Sequence, residues 1–394
     1  MLMKRQQSQP GRNGQAEPWH APEASSDPRP AARVLIDSVQ QVDDQPYPWD
    51  RIDPDNLLRA ALLHGVAPAV ALHLRGRPDV PKELNQRLQG CYRDQRARHV
   101  RTLSDLRRAT EALRRAGFSW AVVKGPALTE RLWPRPDMRL YVDLDLVVDR
   151  HRFGDCLELL EGLGATYVDR NWPLIRDGVR GEISMKLPHG TPLDLHWHVV
   201  NDPGLRCHFP FRMDEMFSRA ADAELGGTIA PTFDNIDTLL HLAYHMVNSG
   251  GHKLVWLKDF DLAASVPGLD WQEVRSRARR YGCELALDIV LRRTARILHP
   301  RRAFVHSRRS AWAEVASVAD RLRPPPNLPG ERRSGRIVFQ STRASGIRSI
   351  GAAARAVFQS RDGGPPGPNP LHERHDDRAA RRAYLGLVQG SVQP

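Results

Sequence analysis

Apolar positions first recur at helical spacing after Asp55, where Leu57, Leu58, Ala61 and Leu62 are followed by Val66, Ala69 and Leu72, with Asp53 and Asp55 as capping residues. Two short helices are expected. Across Lys82–Arg115 the apolar residues Leu84, Leu88, Tyr92, Val100, Leu103, Leu106 and Leu113 predict one long helix, stopped at Gly117 in the usual C-terminal position. The period then changes. Phe118–Val123 reads as a strand, Lys124-Gly125-Pro126 as a turn and Ala127–Trp133 as a helix. A second strand is expected over Leu140–Val148, a helix over Phe153–Leu163 ending at Gly164, a strand around Ala165–Val168, and a hairpin pairing Gly181–Leu187 with Pro192–Val200 across His189-Gly190. Helical spacing returns in Asn235–Asn248, Val255–Ser265, Trp271–Tyr281 and Glu284–Leu298. The pattern predicts an α+β fold: a mixed sheet with flanking helices, an N-terminal helical segment and a C-terminal helical bundle.

Both ends of the chain lack this periodicity. Residues 1–50 contain Pro10, Pro18, Pro22, Pro28 and Pro30 and read as a flexible leader. Beyond Arg323-Pro324-Pro325-Pro326, residues 324–394 read as a weakly ordered, Arg-rich tail interrupted by Pro and Gly. The organisation expected between them is a helical segment at 51–116, a sheet core at 117–233 and a helical domain at 234–323.

Composition narrows the picture. A chain of 394 residues is long enough for two domains, and its 31 Pro and 29 Gly suit unstructured ends. There is no run of eighteen apolar residues and no apolar N-terminal stretch, so a cytoplasmic protein without a membrane span is expected. The four cysteines, Cys91, Cys156, Cys207 and Cys283, are far apart, which argues against a disulfide framework or a cysteine zinc site. The formal net charge of +12 is unevenly placed: Arg301–Pro394 holds 17 Arg and 7 acidic residues, a surplus of +10 that leaves +2 for the first 300 residues. The expected sheet core is thus nearly neutral, and the tail reads as a solvated end or as a handle for nucleic acid.

The chemistry is concentrated in the strand Leu140-Tyr141-Val142-Asp143-Leu144-Asp145-Leu146-Val147-Val148, which carries two carboxylates inside an apolar run. On a strand, residues i and i+2 share a face. Two anions side by side at a buried position need a compensating cation, and oxygen-only ligands suit Mg2+ or Mn2+. Asp53-Pro54-Asp55 and Asp259-Phe260-Asp261 have the same spacing but fall before and within predicted helices, where carboxylates two apart diverge. Asp194, centred in the apolar strand Pro192–Trp197, supplies a third carboxylate. Lys124 and Gly125 leave a strand and enter a helix, an arrangement that turns backbone N–H groups and an ammonium toward a phosphate. Arg139 either clamps phosphate oxygens or neutralises the two aspartates. His196 and His198 alternate onto the face of Asp194. His241 and His245 stand one helical turn apart and lack the Glu of a zinc metalloprotease, so they are expected on the helix face that closes the cleft, with Asp259 as a further contact or a plain helix residue.

Read in order, Val123-Lys124-Gly125-Pro126-Ala127-Leu128, Arg139-x-x-x-Asp143-Leu144-Asp145-Leu146-Val147 and Asp194-Leu195-His196-Trp197 resemble the uncharacterised nucleotidyltransferase family of the DNA polymerase β superfamily. The similarity extends to Asn56–Gly76, to His241-Leu242-Ala243-x-His245 and to Trp256-x-x-Asp259, covering about residues 55–300. The sequence departs from the wider superfamily in having Pro126 after the glycine and a long gap from Gly125 to Asp143. The resemblance implies transfer of a nucleotide from an NTP to an acceptor hydroxyl by two-metal in-line displacement. Asp143 and Asp145 would bridge the ions, Asp194 would be the third ligand and proton acceptor, and Lys124, Gly125 and Arg139 would hold the phosphates. The acceptor class stays open among a small molecule, a peptide and RNA. Two other readings are a toxin-like enzyme modifying tRNA or protein, and a non-catalytic partner in a biosynthetic assembly.

Overall fold

The computed structural model describes residues 29–42, 46–251, 253–299, 369–375 and 377–390. The N-terminal helices are α1 (Arg29–Gln40), α2 (Pro54–Leu63), α3 (Ala67–His73) and α4 (Lys82–Arg115). Asp53 caps α2 by accepting from the Asp55 and Asn56 amides, which leaves the Asp53-Pro54-Asp55 pair occupied with helix initiation. The sheet region follows with β1 (Trp120–Val122), α5 (Pro126–Leu132), β2 (Leu144–Val148), α6 (Phe153–Gly162), β3 (Thr166–Tyr167), α7 (Trp172–Asp177), β4 (Glu182–Lys186) and β5 (Pro192–His196). Then come α8 (Pro203–Arg206), α9 (Met213–Ser218), β6 (Ala221–Leu225) and β7 (Thr228–Thr232). The C-terminal helices are α10 (Asn235–Ser249), α11 (Leu254–Ala264), α12 (Trp271–Arg280), α13 (Glu284–Leu298) and α14 (Arg378–Gly390).

All seven strands form one mixed sheet in the order β3-β4-β5-β2-β1-β7-β6, with β2–β5 and β1–β7 parallel and the other pairs antiparallel. This is the α+β architecture that the apolar pattern predicts. Strand alternation sends Trp120, Val122, Leu146, Leu193 and Leu195 into one core with α6, α7, α14 and the end of α4. Ala121, Val123 and Val147 point the other way, into the core shared with α1–α3 and α10–α13. Asp145 has the parity of Val147, so the candidate acids face the helical bundle.

Four expectations need correction. The leader expected over 1–50 is helical at Arg29–Gln40, where Val34 and Leu35 are fully buried; residues 1–28 and 43–45 lie outside the described residues. The tail expected to be weakly ordered over 324–394 ends in α14, whose Ala380, Tyr384 and Val388 form a buried stripe at four-residue spacing that the interleaved arginines obscure. Residues 300–368, with most of the Arg surplus, lie outside the described residues. The acidic strand begins at Leu144, because Arg139–Asp143 instead pack against α4 and Gly65, with the Leu140 amide donating to the Gly65 carbonyl. Finally, the β6–β7 hairpin, turned at Gly226-Gly227 with positive φ at both residues, has an exposed and weakly alternating first strand and left no apolar signal.

No helix among the described residues is long and apolar enough to cross a membrane, and all four cysteines are free thiols.

Candidate active site

The parallel pairing of β2 with β5 sets Asp145 opposite Asp194 in register, and the antiparallel pairing of β5 with β4 sets Ser184 opposite Asp194 and Glu182 opposite His196. By alternation these side chains share one face of the sheet. Asp145, Asp194, Glu182 and His196 form one wall of a cleft of about 390 Å3, also lined by Lys124, Gly125 and Asp143. The facing wall belongs to α10 and α11 and contributes His241, His245, Trp256 and Asp259, with Arg139 and Tyr141 at the seam.

Lys124 Nζ donates to Asp145 Oδ1 at 2.8 Å. Burial works against the ammonium charge, but Asp145, and beyond it Asp143 and Glu182, outweigh it and raise the lysine pKa. Burial likewise opposes ionisation of Asp145, yet Lys124 and His196 hold its carboxyl well below the usual carboxylate range. The other two acids have no such partner. Burial and the neighbouring Asp145 raise the pKa of Asp143, and the same two causes push Asp194 up to about 6, although Ser184 Oγ donates to Asp194 Oδ1 at 2.8 Å.

Three carboxylates therefore share one nearby ammonium, and their all-oxygen donor set, with the raised pKa values of two of them, fits an added divalent cation. Among the described residues, no three His, Cys, Asp or Glu side chains converge into a complete cation cage as they stand. Lys124 occupies the approach to Asp145 instead.

Gly125 has φ +50° and ψ −117°, a backbone conformation that disfavours other residues. A Cβ there would lie 2.8 Å from the Asp143 carbonyl oxygen and 3.5 Å from the Tyr141 ring. The glycine thus lets the turn holding Lys124 close directly onto the segment holding Asp143, despite the long gap between them in sequence.

Arg139 pairs with a residue that the sequence did not link to it. It touches neither aspartate of the acidic segment by hydrogen bond. Its Nε and Nη2 donate to Asp259 Oδ1 and Oδ2 at 2.8 and 2.9 Å, and Trp133 Nε1 donates to the same Oδ1 at 2.7 Å. Arg139 Nη1 is buried without a hydrogen-bond partner, in a residue that lines the cleft. Asp259 is thus a fully buried counter-ion rather than a surface helix residue, and Asp261, two positions on, diverges to Lys258 and His299.

His196 lies between Asp145 and Glu182, with ring nitrogens 3.4 and 3.3 Å from their oxygens but not aligned as hydrogen bonds. Burial disfavours its protonation, but the two carboxylates outweigh that and raise its pKa. Burial, with Lys124 nearby, lowers the pKa of His241 to about 3 and that of His245 well below the ordinary value. Both imidazoles are therefore neutral, and His245 meets Trp256 edge to face at 5.2 Å.

Glu182 escapes the sequence reading. It accepts from Arg180 Nη2 at 3.1 Å and from Asn201, and it lies on the face of Asp194. Alternation with Ser184 in the expected hairpin was the available signal, but a lone Glu on a hairpin looks the same as a solvent-facing one.

No curated protein matches the chain. The profile of an uncharacterised nucleotidyltransferase family matches residues 50–299, well over half of the chain and including both walls of the cleft. With that span the protein belongs to this uncharacterised nucleotidyltransferase family.

Proposed function

We propose that the protein transfers a nucleoside monophosphate from an NTP to an acceptor hydroxyl. Asp143, Asp145 and Asp194 hold Mg2+ or Mn2+, and Lys124, Gly125 and Arg139 receive the phosphates. The observation that carries this reading is the shortage of cations around three carboxylates, with Lys124 as the one ammonium against Asp145. A divalent ion bound there neutralises the triphosphate and lowers the pKa of the acceptor hydroxyl.

The chain's own groups then have distinct tasks. Lys124 swings from Asp145 to a phosphate oxygen when NTP enters, as a point charge on a flexible stem. Arg139, anchored by Asp259, offers its unpartnered Nη1 to a second oxygen without losing its orientation. The acceptor oxygen bonds to the α-phosphorus, the α–β P–O bond breaks and pyrophosphate leaves with the electron pair. The hydroxyl proton passes to Asp194. His196 steadies Asp145 from behind, while the neutral His241 and His245 add polar groups without adding charge. Retention of all three aspartates favours this reading over a non-catalytic partner.

The test is twofold. Purified protein incubated with each labelled NTP, magnesium and cell extract is expected to transfer the monophosphate label to an acceptor. Calorimetry with a non-hydrolysable NTP plus magnesium is expected to show Lys124→Met binding about ten- to a hundredfold more weakly, since a charge-assisted hydrogen bond contributes about 1.5–3 kcal/mol. Removing the ammonium also strands the Asp145 carboxylate, so the variant melts lower without metal and recovers with Mg2+. Equal NTP affinities in the two proteins would sink the phosphate role of Lys124.

A further inference from the structure

We propose that the outer face of α4 is a docking surface for a nucleic-acid strand, and that the acceptor hydroxyl is carried on that strand. The second half of this rests on the transfer reaction proposed above. At 1.5 Å per residue the 34-residue helix is about 51 Å long. It carries nine Arg and one Lys against four acidic residues, a surplus of +6, whereas the first 300 residues together carry only +2. The rest of that region is therefore net acidic, and α4 is where its positive charge is gathered.

That charge is also ordered. Leu84, Leu88, Tyr92, Leu106 and Leu113 bury one face of α4. Arg93, Arg96, Arg101, Arg107, Arg108 and Arg115 are all exposed and fall within an arc of about 140° on the opposite face, at 100° per residue. Arg114, on the same arc, is bonded to Asp222, and Arg96 lies over the Tyr92 ring. The remaining five have no carboxylate partner among the described residues. The exposed acids of the helix are Glu83, Asp94 and Glu111.

The chemistry of the face selects its partner. Guanidinium groups are weakly hydrated and match phosphodiester oxygens with two parallel donors, which ammonium groups do not. A bilayer surface would need apolar side chains to insert, and the arc offers one large exposed apolar residue, Val100. A protein partner would need a cluster of aromatic or aliphatic anchors, and the arc has Val100 alone. A phosphate backbone needs neither.

The side of α4 between the arc and its buried face meets the cleft: half-buried Arg98 donates from Nη1 to the Tyr141 carbonyl at 3.4 Å, and on the buried face His99 Nδ1 is 2.7 Å from the Tyr141 hydroxyl. Tyr141 lines the cleft two residues before Asp143, and Val142 between them is half exposed at its rim. A strand on α4 therefore reaches the rim at mid-helix, where its terminal hydroxyl can form the new phosphodiester as pyrophosphate departs.

The test is fluorescence anisotropy on the full chain without NTP, using labelled 20-nucleotide RNA and DNA over a series of salt concentrations. The comparison is between wild type and a variant with Arg101→Gln, Arg107→Gln and Arg108→Gln. The Arg-rich residues 301–394 are the same in both proteins, so the difference reports on α4. The variant is expected to bind about tenfold or more weakly, with a log–log salt slope smaller by about 2–3 for three lost phosphate contacts. Lysine at the same three positions is expected to keep most of the affinity, which keeps the test readable if the Gln protein melts lower. Whichever strand binds more tightly identifies the source of the backbone. Unchanged affinity and slope in the Gln variant overturn the proposal, as does equal binding of polyglutamate or phosphatidylserine vesicles. Because no NTP is present, failure here leaves the Lys124→Met result standing, and failure there leaves this one.

Discussion

The two walls of the cleft each hold a buried cation–carboxylate pair, and the pairs are built for opposite purposes. On the bundle side, Arg139 and Asp259 join through two parallel hydrogen bonds with Trp133 as a third donor, and no second carboxylate is hydrogen-bonded to the guanidinium, with Asp143 acting on it only through its charge. On the sheet side, a single hydrogen bond joins Lys124 to Asp145, with Asp143, Asp194 and Glu182 crowding the same cation. The first pair is closed and fixes a side chain in place. The second is unfinished, because any additional cation or anion entering the cleft gives its members a better arrangement. Burial alone, which is similar for both, does not separate structural from working ion pairs; the number of competing partners does.

The largest expected effect lies on the unfinished wall. Asp143→Asn should lower transfer by about ten-thousandfold or more, yet should leave the melting temperature unchanged or higher, since it relieves repulsion from Asp145. Asp145→Asn should lose both activity and stability, because it leaves Lys124 buried without its counter-ion. If Asp143→Asn turned over normally in magnesium, the carboxylate assignment would fail.

Next in size is the closed pair. Asp259→Asn should cost about 3–5 kcal/mol of stability by leaving the Arg139 guanidinium buried and uncompensated, read by urea denaturation. A loss below 1 kcal/mol would mean the bundle wall is as adaptable as the sheet wall.

The smallest effect distinguishes the walls by the sign of their pH dependence. His241 has a folded pKa near 3, below its unfolded value, so it contributes stability above about pH 6.5 that is lost as pH falls toward 3. Asp194 has a folded pKa near 6, above its unfolded value, so its contribution is present at low pH and lost as pH rises through 6. Between pH 7 and 5.5, His241 should cost about 1 kcal/mol of stability and Asp194 should partly offset it. Melting curves at the two pH values should show a smaller acid loss in His241→Gln and a larger one in Asp194→Asn. Parallel shifts in both variants would contradict this division.

The sequence disclosed these walls unequally. The bounds expected for α4, Lys82–Arg115, match the structure because thirty-four residues of periodic apolar spacing average out local ambiguity. Asp143, Asp145 and Asp194 were marked by charge inside apolar runs, and Lys124 and Gly125 by a strand-to-helix turn, and the structure brings all five to one cleft. The fixed pair was not legible: Arg139 and Asp259 lie 120 residues apart, and nothing local shows that a guanidinium is anchored by a distant carboxylate. For the same reason the buried stripe of α14 was hidden, since Arg381 and Arg382 stand among its three anchor residues and local composition outweighs so short a pattern.

That last helix has a consequence for how the molecule is made. Tyr384 donates to the Arg180 carbonyl and receives Trp197 Nε1, directly after His196 in the chain, across a separation of 187 residues. On the ribosome, at about 5–20 residues per second, the acids emerge roughly ten to forty seconds before the helix that covers the back of their sheet. During that interval the apolar side of β4 and β5 has only the cover of α6, α7 and the end of α4, and its core closes when α14 adds Ala380, Tyr384 and Val388.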